Sequence, residues 1–131
     1  MNDQKSPIDE LFTDSEPLDT ITIVNALKRF IRIKRETHEI FFTDEGHRIS
    51  ILKRILVFGL GKKLLKVENY TEAESFSAKE ISEELQLKKG TVDGLFNSLR
   101  NKSYILGSGS DYSIPNYKIH DILKLLEEKN G

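Results

Sequence analysis

The 131-residue chain has 37% hydrophobic and 31% charged residues, so it is long enough to bury its own core and reads as one soluble globular domain. It has no cysteine, which excludes disulfides, thiolate nucleophiles, redox pairs and cysteine-liganded zinc, and no run approaches the roughly 20 apolar residues of a membrane helix. The net charge of −1 hides an asymmetry: residues 1 to 19 carry six acidic residues against a lone Lys5, whereas Lys28 to Lys66 carry eleven Lys/Arg against four Asp/Glu.

Residues 1–17, with Pro7 and Pro17 and no sustained periodicity, predict a flexible acidic tail, either a solvated end or a segment that folds back on the basic block. No basic stretch followed by an apolar one opens the chain, so the expected location is the cytoplasm, away from membranes. Residues 18–46 form a second segment. Ile21, Val24, Leu27 and Ile31 predict the buried stripe of a helix running from Leu18 to at least Arg29. Phe30 to Arg35 alternates like a strand, Glu39 to Thr43 is β-prone, and Glu36-Thr37-His38 supplies a turn. Helix then hairpin is therefore expected, against a single helix continued to Arg35.

Thr43-Asp44-Glu45-Gly46 reads as a turn. Ser50 then caps a helix with a broad stripe of Ile51, Leu52, Ile55, Leu56, Leu60, Leu64 and Leu65. Gly59 and Gly61 inside it predict either the close approach of a neighbour or a local break. "FGLGKKLL" lacks the spacing of a phosphate-binding loop, and residues 67–75 read as a connector.

From Phe76 the pattern sharpens. Ser77-Ala78-Lys79-Glu80 is a capping-box sequence, so a helix should start at Ala78, with Ile81 and Leu85 inward and Glu80, Glu83 and Glu84 solvated. Leu87-Lys88-Lys89-Gly90 breaks it, the glycine allowing the chain to turn, and a second helix starts near Thr91 with Val92, Leu95, Phe96 and Leu99 buried. Tyr104-Ile105-Leu106 and Tyr112-Ser113-Ile114 flank the turn formers Gly107 to Asp111 as a short hairpin. "FSAKEISEELQLKKGTVDGLFNSLRNKSYILGSGSDYSIP" resembles the winged helix-turn-helix family, a likeness that extends over about residues 51–129. The resemblance implies a mainly α protein with a small β component (α+β), in which residues 47–131 form the winged domain with a C-terminal helix. The helix-plus-hairpin segment would be its N-terminal extension.

The resemblance also implies double-stranded DNA as the partner, a transcription regulator as the role, and residues 90–102 as a recognition helix in the major groove. Lys88, Lys89, Arg100 and Lys102 would neutralise phosphates, assisted by Lys53, Arg54, Lys62 and Lys63 on the preceding helix. Thr91, Asn97 and Asn101 would exchange hydrogen bonds with base edges or phosphates, and Asp93 would face the DNA beside them. Two departures favour an alternative, a winged domain used as a protein-interaction module: the wing "GSGSD" has no Lys or Arg, and Asp93 repels phosphate unless it accepts from cytosine or pairs with Lys89.

After Pro115, Asn116 is expected to cap a last helix packed through Ile119, Ile122, Leu123 and Leu126. Leu125 stands to one side, either as a single exposed leucine or as a second apolar contact such as one with a second copy of the chain. His38, His47 and His120 lie far apart without metal-ligand spacing, and no nucleophile elbow occurs. The reading is thus a binding protein without catalytic residues, metal or cofactor.

Overall fold

The computed structural model describes residues 19–128; the predicted acidic tail lies outside the described residues. The Asp19 carboxylate accepts the Thr22 backbone N–H at 3.1 Å and its hydroxyl at 2.6 Å, capping α1 (Thr20–Leu27). Those two bonds, the hydroxyl first, hold the Asp19 pKa below its usual value. The buried row of α1 differs from the expected one. Ile23 and Leu27 are inward, and Ile21 and Val24 are 74% and 47% exposed. Two apolar rows at helical spacing share Leu27, and packing on the helices Ile51–Val67 (α3) and Ile119–Glu127 (α6) selects the row that continues into buried Phe30.

The helix stops there. β1 (Ile31–Ile33) and β2 (Ile40–Phe42) pair antiparallel in the register Ile31↔Phe42, Arg32↔Phe41, Ile33↔Ile40, so the helix-then-hairpin reading holds over the continued helix. Where a simple turn was expected, Thr43 caps a short helix α2 (Asp44–Arg48): its Oγ1 accepts the Gly46 N–H at 3.0 Å. Asp44 and Glu45 in its first turn and His47 and Arg48 in its last complement the helix dipole.

α3 (Ile51–Val67) runs unbroken through both glycines and is buried on every side from Ile55 to Gly61. A methyl group at Gly59 would lie 2.8 Å from Ile114 Cδ1 and from the Phe76 ring, and one at Gly61 2.9 Å from Ile40 Cδ1. These two positions face opposite sides of the helix. The first hairpin therefore closes on one side of α3 and the C-terminal half of the chain on the other, and a single apolar cluster runs from Ile23 to Leu126. Close approach of side chains, rather than a break, explains the glycines.

Ser77 caps α4 (Ala78–Leu85) through the Glu80 N–H at 2.9 Å, but Glu80 pairs with Lys62 of α3 and does not close the expected capping box. The break after α4 falls on Gln86, in the left-handed conformation at φ 56°, so α5 (Lys89–Asn101) already contains Gly90. Leu87 N–H bonds to Ser82 O at 2.9 Å and Tyr104 N–H to Leu99 O at 3.0 Å. α3 closes similarly, with Tyr70 N–H to Leu65 O at 2.8 Å, and the left-handed residues of the three closures are Asn69, Gln86 and Ser103, none of them glycine.

The second hairpin, β3 (Leu106–Ser108) with β4 (Asp111–Ser113), starts two residues later than predicted, because Tyr104 and Ile105 are used to leave α5 and enter the core. Its two-residue loop has Gly109 at φ 64°. Phe76, expected in no strand, pairs with the free edge of β4 through Tyr112 by two backbone bonds of 2.8 and 2.9 Å. Asn116 does not cap the last helix; it begins a 3₁₀ turn (Asn116–Lys118) and its Oδ1 accepts from Lys63 Nζ at 2.8 Å. α6 (Ile119–Glu127) buries Ile119, Ile122 and Leu126, and Leu125 is half-buried on the same core. The fold is mainly α with two small antiparallel hairpins, and among the described residues no helix is long and apolar enough to cross a membrane.

Candidate nucleic-acid interface

α5 is held by Val92, Phe96 and Leu99, all buried, with the Phe96 ring edge-on to Phe76 and Tyr112 at centroid distances of 5.9 and 4.8 Å. The helix packs on α4 and its rear is sealed, so its front faces outward. Lys88, Lys89, Thr91, Asp93, Asn97, Arg100, Asn101 and Lys102 are all exposed. Helical spacing places Gly90, Gly94, Asn97 and Asn101 along the ridge farthest from the core. Lys89, Asp93 and Arg100 flank it on one side, with Thr91 and Lys102 on the other.

Gly90 and Gly94 differ from Gly59 and Gly61. A methyl group at either would meet nothing within 4 Å, and neither has a positive φ. Each costs the helix about 1 kcal/mol relative to alanine, with no packing inside the protein that requires it. The result is a ridge bare of side chains over its first turns, ending in two amides.

The cations divide sharply. Lys53 and Lys63 are 3% and 4% exposed: Lys53 Nζ donates to Glu128 O at 3.0 Å, and Lys63 Nζ binds Glu74 and Asn116. Lys62 pairs with Glu80 and covers the Phe58 ring, and Arg54 Nε donates to Ile49 O at 3.4 Å. Lys53, Arg54, Lys62 and Lys63 of α3, expected to assist the recognition helix, are thus taken up by the fold. Burial of a lysine requires partners for its charge, and the connector and the chain beyond β4 supply them. Arg29 likewise pairs with Glu45. By contrast Lys88, Lys89, Arg100, Lys102 and Asp93 form no ion pair among the described residues. The expected Lys89–Asp93 pair is among the contacts that do not form.

Compared with family models, characterised proteins and solved structures, the chain matches none. The site therefore stands on its own geometry.

α5 and the second hairpin meet in a groove of about 310 Å³ lined by Asn97, Arg100, Asn101, Ile105, Leu106 and Gly107. It brings together three of the predicted residues. Ile105, Leu106 and Gly107 were not among them; the only hint was the apolar triplet at 104–106, whose role at the root of the hairpin depends on where α5 ends. Acidic residues collect elsewhere. Glu84 on α4 has its pKa raised, first by partial burial and then by Glu39 and Glu80. α4 thus presents negative charge and α5 predominantly positive charge. Among the described residues no cluster of three or more His, Asp or Glu is placed to hold a metal.

Proposed function

We propose that the chain binds double-stranded DNA as a winged helix-turn-helix protein of the transcription-regulator type, acting in the cytoplasm, with α5 in the major groove and the second hairpin as its wing. The observation that carries this reading is the outward face of α5: a bare ridge with two terminal amides, with Lys88 at the helix start and Lys89, Arg100 and Lys102 beside the ridge, none in an ion pair among the described residues. The order α3, Phe76 strand, α4, α5, β3, β4 supports the family assignment, since the Phe76 pairing supplies the third strand of a small wing sheet. Lys88, Lys89, Arg100 and Lys102 neutralise phosphates, and the amide of Asn97 bonds a base edge, adenine above all.

Direct titration with duplex DNA tests it. Four neutralised phosphates give a slope of about −3.6 in log affinity against log salt, so binding weakens roughly 150-fold between about 50 and 200 mM salt. Binding that is absent at the lower concentration, or insensitive to salt, overturns the proposal. A protein-interaction module is the second reading, favoured by a hairpin that carries Asp111 and no cation and by Leu106, which is 46% exposed beside Asn97 and Arg100. Recovery of a stoichiometric protein partner without DNA retention would select it.

A further inference from the structure

The groove between α5 and β3 is chemically uneven. Its helical wall carries one guanidinium, Arg100, and two amides, Asn97 and Asn101; its other wall is apolar Ile105 and Leu106 with the Gly107 backbone. No carboxylate lines it. Arg29, Arg32 and Arg54 each spend their guanidinium on a carboxylate or backbone carbonyl of the protein, whereas Arg100, like Arg35 and Arg48, has no such partner among the described residues, and of these three it is the one that lines the groove. A guanidinium offers a planar fork that matches two oxygens of a phosphate, and neutral amide N–H groups beside it complete the set of donors without adding a competing charge. Leu106, nearly half exposed, supplies an apolar surface for a sugar next to that phosphate.

We propose that this groove is a seat for a single phosphodiester group, held bidentately by Arg100 with Asn101 donating from the same helix, the attached deoxyribose lying on Leu106. The seat rests on the DNA-binding reading of α5 and adds to it a point of register. There helix and hairpin would touch the same strand, although the hairpin itself brings no cation. Arg100 therefore acts at one phosphate, whereas Lys88, Lys89 and Lys102 act as exposed point charges on any phosphate that passes.

A methylphosphonate scan of a bound duplex separates the two modes, each substitution neutralising one phosphate. Wild type should lose about tenfold in affinity at one position, Arg100→Ala should lose nothing further at that position, and Lys89→Ala should keep the full tenfold loss. Arg100→Lys should recover only part of the Arg100→Ala defect, because an ammonium cannot engage two oxygens at once. If Arg100→Ala keeps the full tenfold loss at that position, as Lys89→Ala does, the seat is overturned and the DNA reading stands. The second arm titrates inorganic phosphate, then a deoxynucleoside monophosphate, while recording the side-chain amide signals of Asn97 and Asn101. Shifts in wild type that vanish in Arg100→Ala, in a protein that fails to bind duplex, would keep the seat for a free phosphate ligand and discard the DNA reading. No shift with either probe and no duplex binding would remove both.

Discussion

Gly94→Ala separates the cost of the bare ridge from its use. In α5 the added methyl would meet nothing within 4 Å, so it has no steric penalty, and the backbone there is ordinary right-handed helix. Alanine is favoured over glycine by about 1 kcal/mol in a helix interior, in part because it narrows the unfolded ensemble, so the variant should be more stable by about 0.5 to 1 kcal/mol. For a domain of this size that raises the melting temperature by roughly 3 to 5 °C, and a urea midpoint by a few tenths molar. The same methyl stands on the ridge that would enter the groove of the duplex. DNA affinity should fall about tenfold, equivalent to about 1.4 kcal/mol. Gly59→Ala is the contrast: two buried side chains lie 2.8 Å from the new methyl, so it should destabilise by about 1 to 3 kcal/mol. Thermal melts and urea titrations of both variants, with duplex titrations of Gly94→Ala, decide the matter. A destabilised Gly94→Ala refutes the claim that the protein has no internal need of that glycine; a stabilised variant with unchanged DNA affinity removes the ridge from the interface.

Lys89→Ala should lower the salt slope of duplex binding by about 0.9 and weaken all sequences alike, measured by titrations at several salt concentrations. Asn97→Ala should cost about 1 to 3 kcal/mol on a preferred site selected from random duplexes and leave non-specific binding intact. Glu74→Ala leaves the Lys63 ammonium, 4% exposed, with only Asn116 as partner, and should cost about 3 kcal/mol in urea unfolding; Lys63→Met, which removes the charge, should cost less. The pH dependence has two opposed parts. Asp19 has its folded pKa below the ordinary value, so its contribution is present above the unfolded pKa of about 3.8 and is lost as pH falls through the folded one, a loss absent from Asp19→Asn. Glu84 has its folded pKa raised, so its contribution is present below the unfolded value near 4.5 and is lost as pH rises, and Glu84→Gln should be the more stable protein at neutral pH.

Much of the candidate interface could be read before the fold was known because its signals are local. Val92, Phe96 and Leu99 recur at helical spacing, which forces Asn97, Arg100 and Asn101 outward whatever α5 packs against. Ser50 and Ser77 each cap the helix that follows them through a bond three residues away. The turn residues at 107–111 were legible for the same reason. The assisting role of the α3 lysines was a different matter. Lys53 and Lys63 look like any other surface lysine in a run, and only carbonyl and carboxylate groups 75 and 11 residues distant make their burial tolerable.

What the sequence determined by itself, then, was the five longer helices, the two hairpins, and the polar face of α5, since each follows from caps, turn formers and periodicity acting within a few residues. Tertiary structure alone decided which of two apolar rows of α1 is buried, that Gly59 and Gly61 make room for neighbours, that Phe76 becomes a strand, and that Gln86 rather than Gly90 breaks the helix pair. It also decided which cations remain free. In each of these the competing local conformations differ by no more than about 1 kcal/mol, and the choice falls to burial and pairing with residues distant in the chain, where several kcal/mol are at stake.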